Sequence, residues 1–239
     1  MFRLCLNELP VVNDKRVEKK FSTLFLERII MYISKNQLVN RIRRAATKYK
    51  NYLVGKTFLF VYENGYIEVM FTTKAFFHLT GVNSKLSAVD FYKHAVKENG
   101  LRASEIFFDA DHPFDFANLK TQCLKDLYKI TVQDVLIADG VITATANYKL
   151  AVTDLKITLC LGKDTDINGN IISSRWVPYS FRVEEIDNNK LNDLYEVKFV
   201  FCKNTNSPQN VKYNEMTFGQ KENLIKLPDE IKNMIDIRD

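Results

Sequence analysis

His78 sits in the stretch "FTTKAFFHLTGV", Phe71 to Val82, and is one of only three histidines in the chain of 239 residues. Imidazole changes charge near neutral pH, so a histidine in a cleft can take or give a proton during a reaction. Thr72 or Thr73 can cap a short helix here, and Gly81 can stop it. Lys74 lies four residues before His78 and shares its helical face. A cation beside a histidine lowers its pKa and favours the neutral base. The same residues fit a plainer assignment. A single histidine beside Phe76, Phe77 and Leu79 is also what a packed structural position looks like, and spacing alone leaves both readings open.

Two other clusters carry polar chemistry. "DADHPFD" gathers Asp109, Asp111, His112 and Asp115, ligand types that hard or borderline metals use. It also fits the start of a helix after Pro113, and this second reading is favoured. "DTDINGNIISSR" opens like a calcium loop, with Asp164, Asp166, Asn168 and Gly169 in register. Its twelfth position, where a bidentate glutamate belongs, is Arg175. A connection between strands, rich in turn residues, explains it better. No H-E-x-x-H, G-x-S-x-G, Walker or Gly-rich dinucleotide motif occurs in the sequence.

The composition is 46% apolar and 12% aromatic, enough for a sizeable core. No run of eighteen apolar residues occurs, so no membrane span is expected. The opening "MFRLCLNELPVV" lacks a basic-then-apolar leader pattern. The cysteines Cys5, Cys123, Cys160 and Cys202 are scattered without a C-x-x-C pair. They read as reduced thiols, with a cytoplasmic location and no structural zinc expected. The net charge is +5, yet Asp14 to Lys56 holds twelve Lys or Arg against three Asp or Glu, a local balance of +9. That asymmetry points either to a polyanionic partner or to a solvated, lysine-rich helix face.

The elements that must position these groups follow from periodicity. Residues 15–52 read as a long helix, with Phe21, Phe25, Ile29, Tyr32 and Ile33 continued by Leu38, Ile42, Ala46, Tyr49 and Leu53. A break is expected near Ser34 and Asn36. "TFLFVYENGYIEVMF" reads as a hairpin turning at Asn64-Gly65 through a type I′ turn. "LSAVDFYKHAVKENG" is a helix capped by Ser87, with His94 expected toward solvent. "SEIFFDA" is a short strand, and "HPFDFANLKTQCLKDLYK" is another helix. Strands then follow: "TVQDVLIA", a turn at Asp139-Gly140, "VITATANYKL", "LKITLCLG", "YSFRVEEI" and "YEVKFVFCK". Helices followed by consecutive antiparallel strands define an α+β class. Three segments are expected: a basic helical extension over 1–56, the α+β body over 57–203, and a tail with short helices over 204–239.

With these motifs in place, "IEVMFTTKAFFHLTGV", "KLSAVDFYKHAV", "ANYKLAVTDLKITLCLG" and "RWVPYSFRVEEID" together resemble a known family. It is the fourth subgroup of the phage-associated nuclease-like domains of the barnase–EndoU–colicin–RelE class, over about residues 57–203. The resemblance implies N-terminal helices packed on a curved antiparallel β-sheet. It also implies metal-independent RNA cleavage by attack of a ribose 2′-hydroxyl on the adjacent phosphate, with neither metal nor cofactor. Under it His78 is the acid or base. Lys74, Lys149, Arg175 and Arg182 are phosphate-stabilising cations. Thr80 and Ser180 position the phosphate or a hydroxyl. Trp176 and Tyr179 either stack a base or simply pack. The family motif supplies no second histidine.

Two functions remain open at this stage. One is an endoribonuclease of phage or mobile-element origin, acting as a toxin or host-takeover factor. The other is a nuclease-like fold that binds without cutting, such as an inhibitor of a host nucleoprotein (anti-defence) complex, with Arg41, Arg43 and Arg44 making the contact. The expected partners are RNA or a nucleoprotein complex, and a protein such as an antitoxin or host defence protein; no membrane is expected.

Overall fold

The computed structural model describes residues 33–143, 146–166, 168–183, 191–206 and 211–237. The first of the described helices, α1 (Lys35–Tyr52), starts where a break was expected. Ser34 accepts a hydrogen bond from the Gln37 backbone N–H, and the Gln37 side chain accepts from the Ser34 N–H, a reciprocal capping box. The earlier part of the expected helix, including Phe21, Phe25, Ile29 and Tyr32, lies outside the described residues. Leu38, Ile42, Ala46 and Tyr49 form the buried stripe of α1.

Strands β1 (Lys56–Tyr62) and β2 (Gly65–Met70) form the expected hairpin. The turn differs from the type I′ expectation. Tyr62 pairs with Gly65, so Glu63 and Asn64 form the two-residue loop, and neither has a positive φ. Only Gly65 does, at 143°. Next come α2 (Thr73–Thr80), a two-residue strand β3 (Asn83–Ser84), α3 (Ala88–Val96) and β4 (Ile106–Phe107), which pairs with β3. Ser87 caps α3 as expected. The His94 side chain is 40% exposed, on the solvent side as expected, and its Nδ1 also lies 2.8 Å from Glu105 Oε1. Helix α4 (Phe114–Leu124) completes the helical half.

The remaining strands are β5 (Leu136–Ile142), β6 (Asn147–Thr153), β7 (Thr158–Thr165), β8 (Ile171–Arg182), β9 (Asp193–Asn204) and β10 (Glu215–Phe218). The turn expected at Asp139-Gly140 is not there. β5 runs through it, and the chain reverses between Ile142 and Asn147. Gly140 instead takes φ 65° inside the strand, where a Cβ would stand 2.2 Å from the Asn192 amide nitrogen. The connection after β7 is a turn built on Asp166, whose carboxylate accepts from the backbone N–H of Asn168 at 2.8 Å and Asn170 at 2.9 Å. This is the strand-connection reading of the calcium-like motif.

Pairings run β1–β2–β8–β7–β6–β5–β9 and return from β9 to β1, so the sheet closes on itself. All of these are antiparallel except one, the parallel contact of Val69 with Trp176. The fold is therefore α+β with a strongly curved, mostly antiparallel sheet, as the sequence implied. Side chains alternate across it except where the register shifts, as at Cys160/Leu161 and Val61/Tyr62. Phe58, Phe60, Val69, Ile137, Val152, Leu159 and Phe181 meet Leu38, Ile42, Phe76, Leu79 and Phe91 of the helices in the main core. On the other face of β1 and β9, Leu59, Val61, Phe199 and Phe201 meet Tyr213, Leu227 and Ile231 of the C-terminal segment. That segment contributes β10, a 3-10 turn (Lys221–Lys226) and α5 (Asp229–Met234).

Candidate functional site

Helix α2 holds His78 in place through its two ends. Thr72 accepts from the Ala75 N–H at 3.3 Å, and Gly81 closes the helix with φ 74°. Ala75, Phe76 and Leu79 are buried and anchor the helix to the core, while His78 lies on the exposed side. Its ring is flanked by Phe77 at 5.4 Å and lies parallel to Tyr179 of β8, with ring centroids 6.4 Å apart.

His78 lines a cavity of about 440 Å³ together with His112, Lys120, Tyr148, Tyr179, Ser180 and Arg182. Five elements converge there: α2, the turn before α4, α4 itself, β6 and β8. Although one side of His78 stays open to solvent, its packing against the cavity wall removes enough water to lower its pKa below the usual imidazole value, and the neighbouring His112 lowers it further. The direction expected from Lys74 is thus present with different causes. Lys74 itself is solvent-exposed in the first turn of α2 and does not line the cavity.

His112 is the residue that sequence reasoning passed over. The "DADHPFD" segment does not cap α4, because no side chain caps that helix. It forms a turn around Asp109, whose Oδ1 accepts from the backbone N–H of Asp111 at 3.1 Å and of His112 at 2.8 Å. The same oxygen lies 3.4 Å from His112 Nδ1, and Asn83 Nδ2 lies 3.1 Å from it. The turn thereby fixes the imidazole against the cavity. Backbone hydrogen bonds from this turn hold the Asp109 carboxyl below its usual range. Among the described residues, no group of three or more His, Cys, Asp or Glu could hold a metal ion. The signal that could have marked His112 was its position beside a cluster of turn-forming aspartates, but only the tertiary fold brings it to His78.

The other candidates divide. Ser180 and Arg182 line the cavity with His78, and Ser180 is buried. Arg182 reaches Thr143 Oγ1 at 3.5 Å. Tyr179 is 62% exposed and is the aromatic available for stacking. Trp176 instead packs into the main core, with the Lys163 ammonium 3.8 Å from its ring centroid. Thr80 is fully buried, and its hydroxyl donates to the Phe77 carbonyl at 2.7 Å and accepts from the Val82 N–H at 3.4 Å. It finishes the helix and does not reach the cavity. Lys149 is exposed on β6 beside Lys163, whose pKa it lowers after burial has done so. Arg175 lies further back along β8 in a different cavity, with Glu68, Lys203 and Tyr213. Arg41 bridges α1 to α4 through Asn118 Oδ1 at 2.8 Å. Arg43 and Arg44 line a separate shallow groove with Lys97, where α1 meets the end of α3.

Residues 41–220 match the family described as phage-Barnase-EndoU-ColicinE5/D-RelE like nuclease4. The chain belongs to this family. It is a phage-associated nuclease-like domain, and the match is wider at both ends than the stretch from which the motifs were read. It takes in most of α1 and all of β10. No curated protein and no solved structure matches the chain. Among the described residues no helix is long and apolar enough to cross a membrane.

Proposed function

We propose that this nuclease-like domain cleaves RNA by internal transphosphorylation in the cavity shared by His78 and His112. The observation that carries the reading is the meeting of two imidazoles from distant parts of the chain, beside Arg182, Lys120 and Ser180. A phosphodiester is cut when the ribose 2′-oxygen attacks phosphorus and the bond to the 5′-oxygen of the next nucleotide breaks. One group must take the 2′-hydroxyl proton, and a second must give a proton to the departing 5′-oxygen. His78, with its lowered pKa, is mostly neutral near pH 7 and suits the base. His112, turned to the cavity by Asp109, is placed as the acid. The charge that builds on the phosphoryl oxygens is met by Arg182 and Lys120, and Ser180 offers a hydroxyl. Tyr179 provides an exposed face for a base. The products are a 2′,3′-cyclic phosphate and a 5′-hydroxyl, and no redox partner is needed. Such a chain acts as a toxin or host-takeover factor in the host cytoplasm.

The deciding experiment offers the purified protein an RNA oligonucleotide and the same oligonucleotide with 2′-deoxyribose throughout. Cleavage of the first alone is the expected result. Cutting of both, or of neither, contradicts the proposal.

A second reading is favoured by one observation: the Arg43–Arg44–Lys97 groove is lined by a different set of residues from the histidine cavity. On this reading the fold binds RNA or a host nucleoprotein complex through that groove without cutting. Reversing Arg43 and Arg44 to glutamate then abolishes capture of the partner, whereas His78→Ala leaves it intact. Binding should also weaken steeply with added salt.

A further inference from the structure

Arg175 was expected beside His78, and the fold places it elsewhere. It stands next to Trp176, which pairs in parallel with Val69 where β2 meets β8. Glu68, the neighbour of Val69, lines the same cavity of about 830 Å³ beneath the C-terminal segment. The charges there do not balance. Arg175, Lys203 and Lys212 line it, and the single carboxylate among its described lining residues is Glu68. That carboxylate accepts the Tyr213 hydroxyl and offsets only one of the three positive charges.

Lys203 makes the imbalance consequential. It is 8% exposed, and its ammonium donates to the Val211 carbonyl at 3.1 Å and sits 4.4 Å from the Tyr213 ring centroid. These contacts hold the ammonium in place but bring no negative charge to it. Burial lowers its pKa, Glu68 raises it, and Arg175 lowers it again. A largely buried cation beside a guanidinium is costly unless an anion completes the site. A planar guanidinium is also the donor best shaped to grip two oxygens of one phosphate.

We infer that the Arg175–Lys203–Lys212 cavity is a second anion site that takes a phosphate group, separate from the histidine cavity. Arg175 is the two-pronged donor, Lys203 is the fixed charge at the floor, and Lys212 closes the site from the solvent side. The volume accommodates a nucleotide as well as a bare phosphate. The phosphate can come from a free nucleotide or from an RNA backbone, and the site recognises what both share. This inference does not depend on the chain cutting RNA.

The test uses the full chain carrying His78→Ala, so that no cleavage intervenes. Inorganic phosphate, 5′-AMP and a six-nucleotide RNA are titrated by calorimetry into this protein. Each titration is repeated after adding Arg175→Gln, Lys212→Gln or, as a control, Lys85→Gln. Melting curves without ligand establish that each variant is folded. Lys212 is solvent-exposed, so its variant keeps the test valid if Arg175→Gln fails to fold. Phosphate affinity should fall at least tenfold with Arg175→Gln and at least threefold with Lys212→Gln, and stay within twofold with Lys85→Gln, an exposed lysine outside both cavities. If RNA affinity falls in parallel, the site holds a backbone phosphate; if only phosphate and 5′-AMP respond, it holds a free nucleotide. Absence of phosphate binding, or binding that stays within twofold in both Arg175→Gln and Lys212→Gln, overturns the inference.

Discussion

At the residue scale, the lowered pKa of His78 has a direct kinetic consequence. Burial and the neighbouring His112 both favour the neutral ring. A base must be neutral to work, so the acidic limb of the pH–rate profile should fall below the ordinary histidine value of about 6.5. Replacing His112 by alanine removes one of the two causes, and the limb should then move upward toward that value. A limb that stays fixed in the variant would mean that the two rings do not sense each other. The linkage to folding has the opposite use of the same fact. Below about pH 6.5 the unfolded chain takes up a proton at His78 more readily than the folded one. The contribution of this group therefore weakens stability as pH falls and vanishes above that range. His78 itself was legible in the sequence through its motif and its spacing in a capped helix. His112 was not, because its segment has the composition of a turn and nothing local tells a turn histidine from a cavity histidine. Arg175 was misplaced for a related reason. It and Ser180 sit on one strand, but a five-residue separation carries them to different cavities.

At the element scale, the position of the site depends on the two ends of α2. Thr72→Ala removes the cap on the Ala75 N–H and should cost about 1 kcal/mol in urea denaturation. Gly81→Ala should cost about 1–2 kcal/mol, because φ 74° is a left-handed conformation that a Cβ opposes. The added methyl would also meet Lys120 Cδ at 2.8 Å. Lys120 lines the histidine cavity, so this variant should lose activity beyond what its stability explains, whereas Thr72→Ala should not. Equal losses would detach Lys120 from the mechanism. Helix ends were partly readable: Thr72 and Ser87 cap as expected, and Ser34, read only as a break, turns out to be a cap, but no side chain caps α4. Glycine was less readable. Asn64-Gly65 and Asp139-Gly140 both look like turn centres, yet one glycine begins a strand and the other lies inside one whose register runs on unbroken. A glycine tolerates a positive φ in either place, and only the pairing partner decides between them.

At the scale of the molecule, periodicity revealed helices followed by strands but not how the strands close. The return of β9 to β1 and the single parallel contact between β2 and β8 are long-range pairings, and no local pattern encodes them. The role of the C-terminal segment was hidden for the same reason. Its apolar residues are few and interrupted by prolines, yet Tyr213, Leu227 and Ile231 cover one face of β1 and β9. Ile231 is 3% exposed there. Ile231→Ala should therefore cost about 2–5 kcal/mol in chemical denaturation, the range for a buried aliphatic truncation. A loss near zero would mean that the segment does not complete this core.

The proposal that two histidines cleave RNA meets its most direct test in one assay. End-labelled RNA is incubated in EDTA with the wild-type protein, His78→Ala and His112→Ala, and the new ends are analysed chemically. We expect wild-type fragments ending in a 2′,3′-cyclic phosphate, with the rate reduced by about 10²–10⁴-fold in each variant. Intact RNA with the wild-type protein, fragments bearing 3′-hydroxyl ends, or full activity in His78→Ala would contradict it.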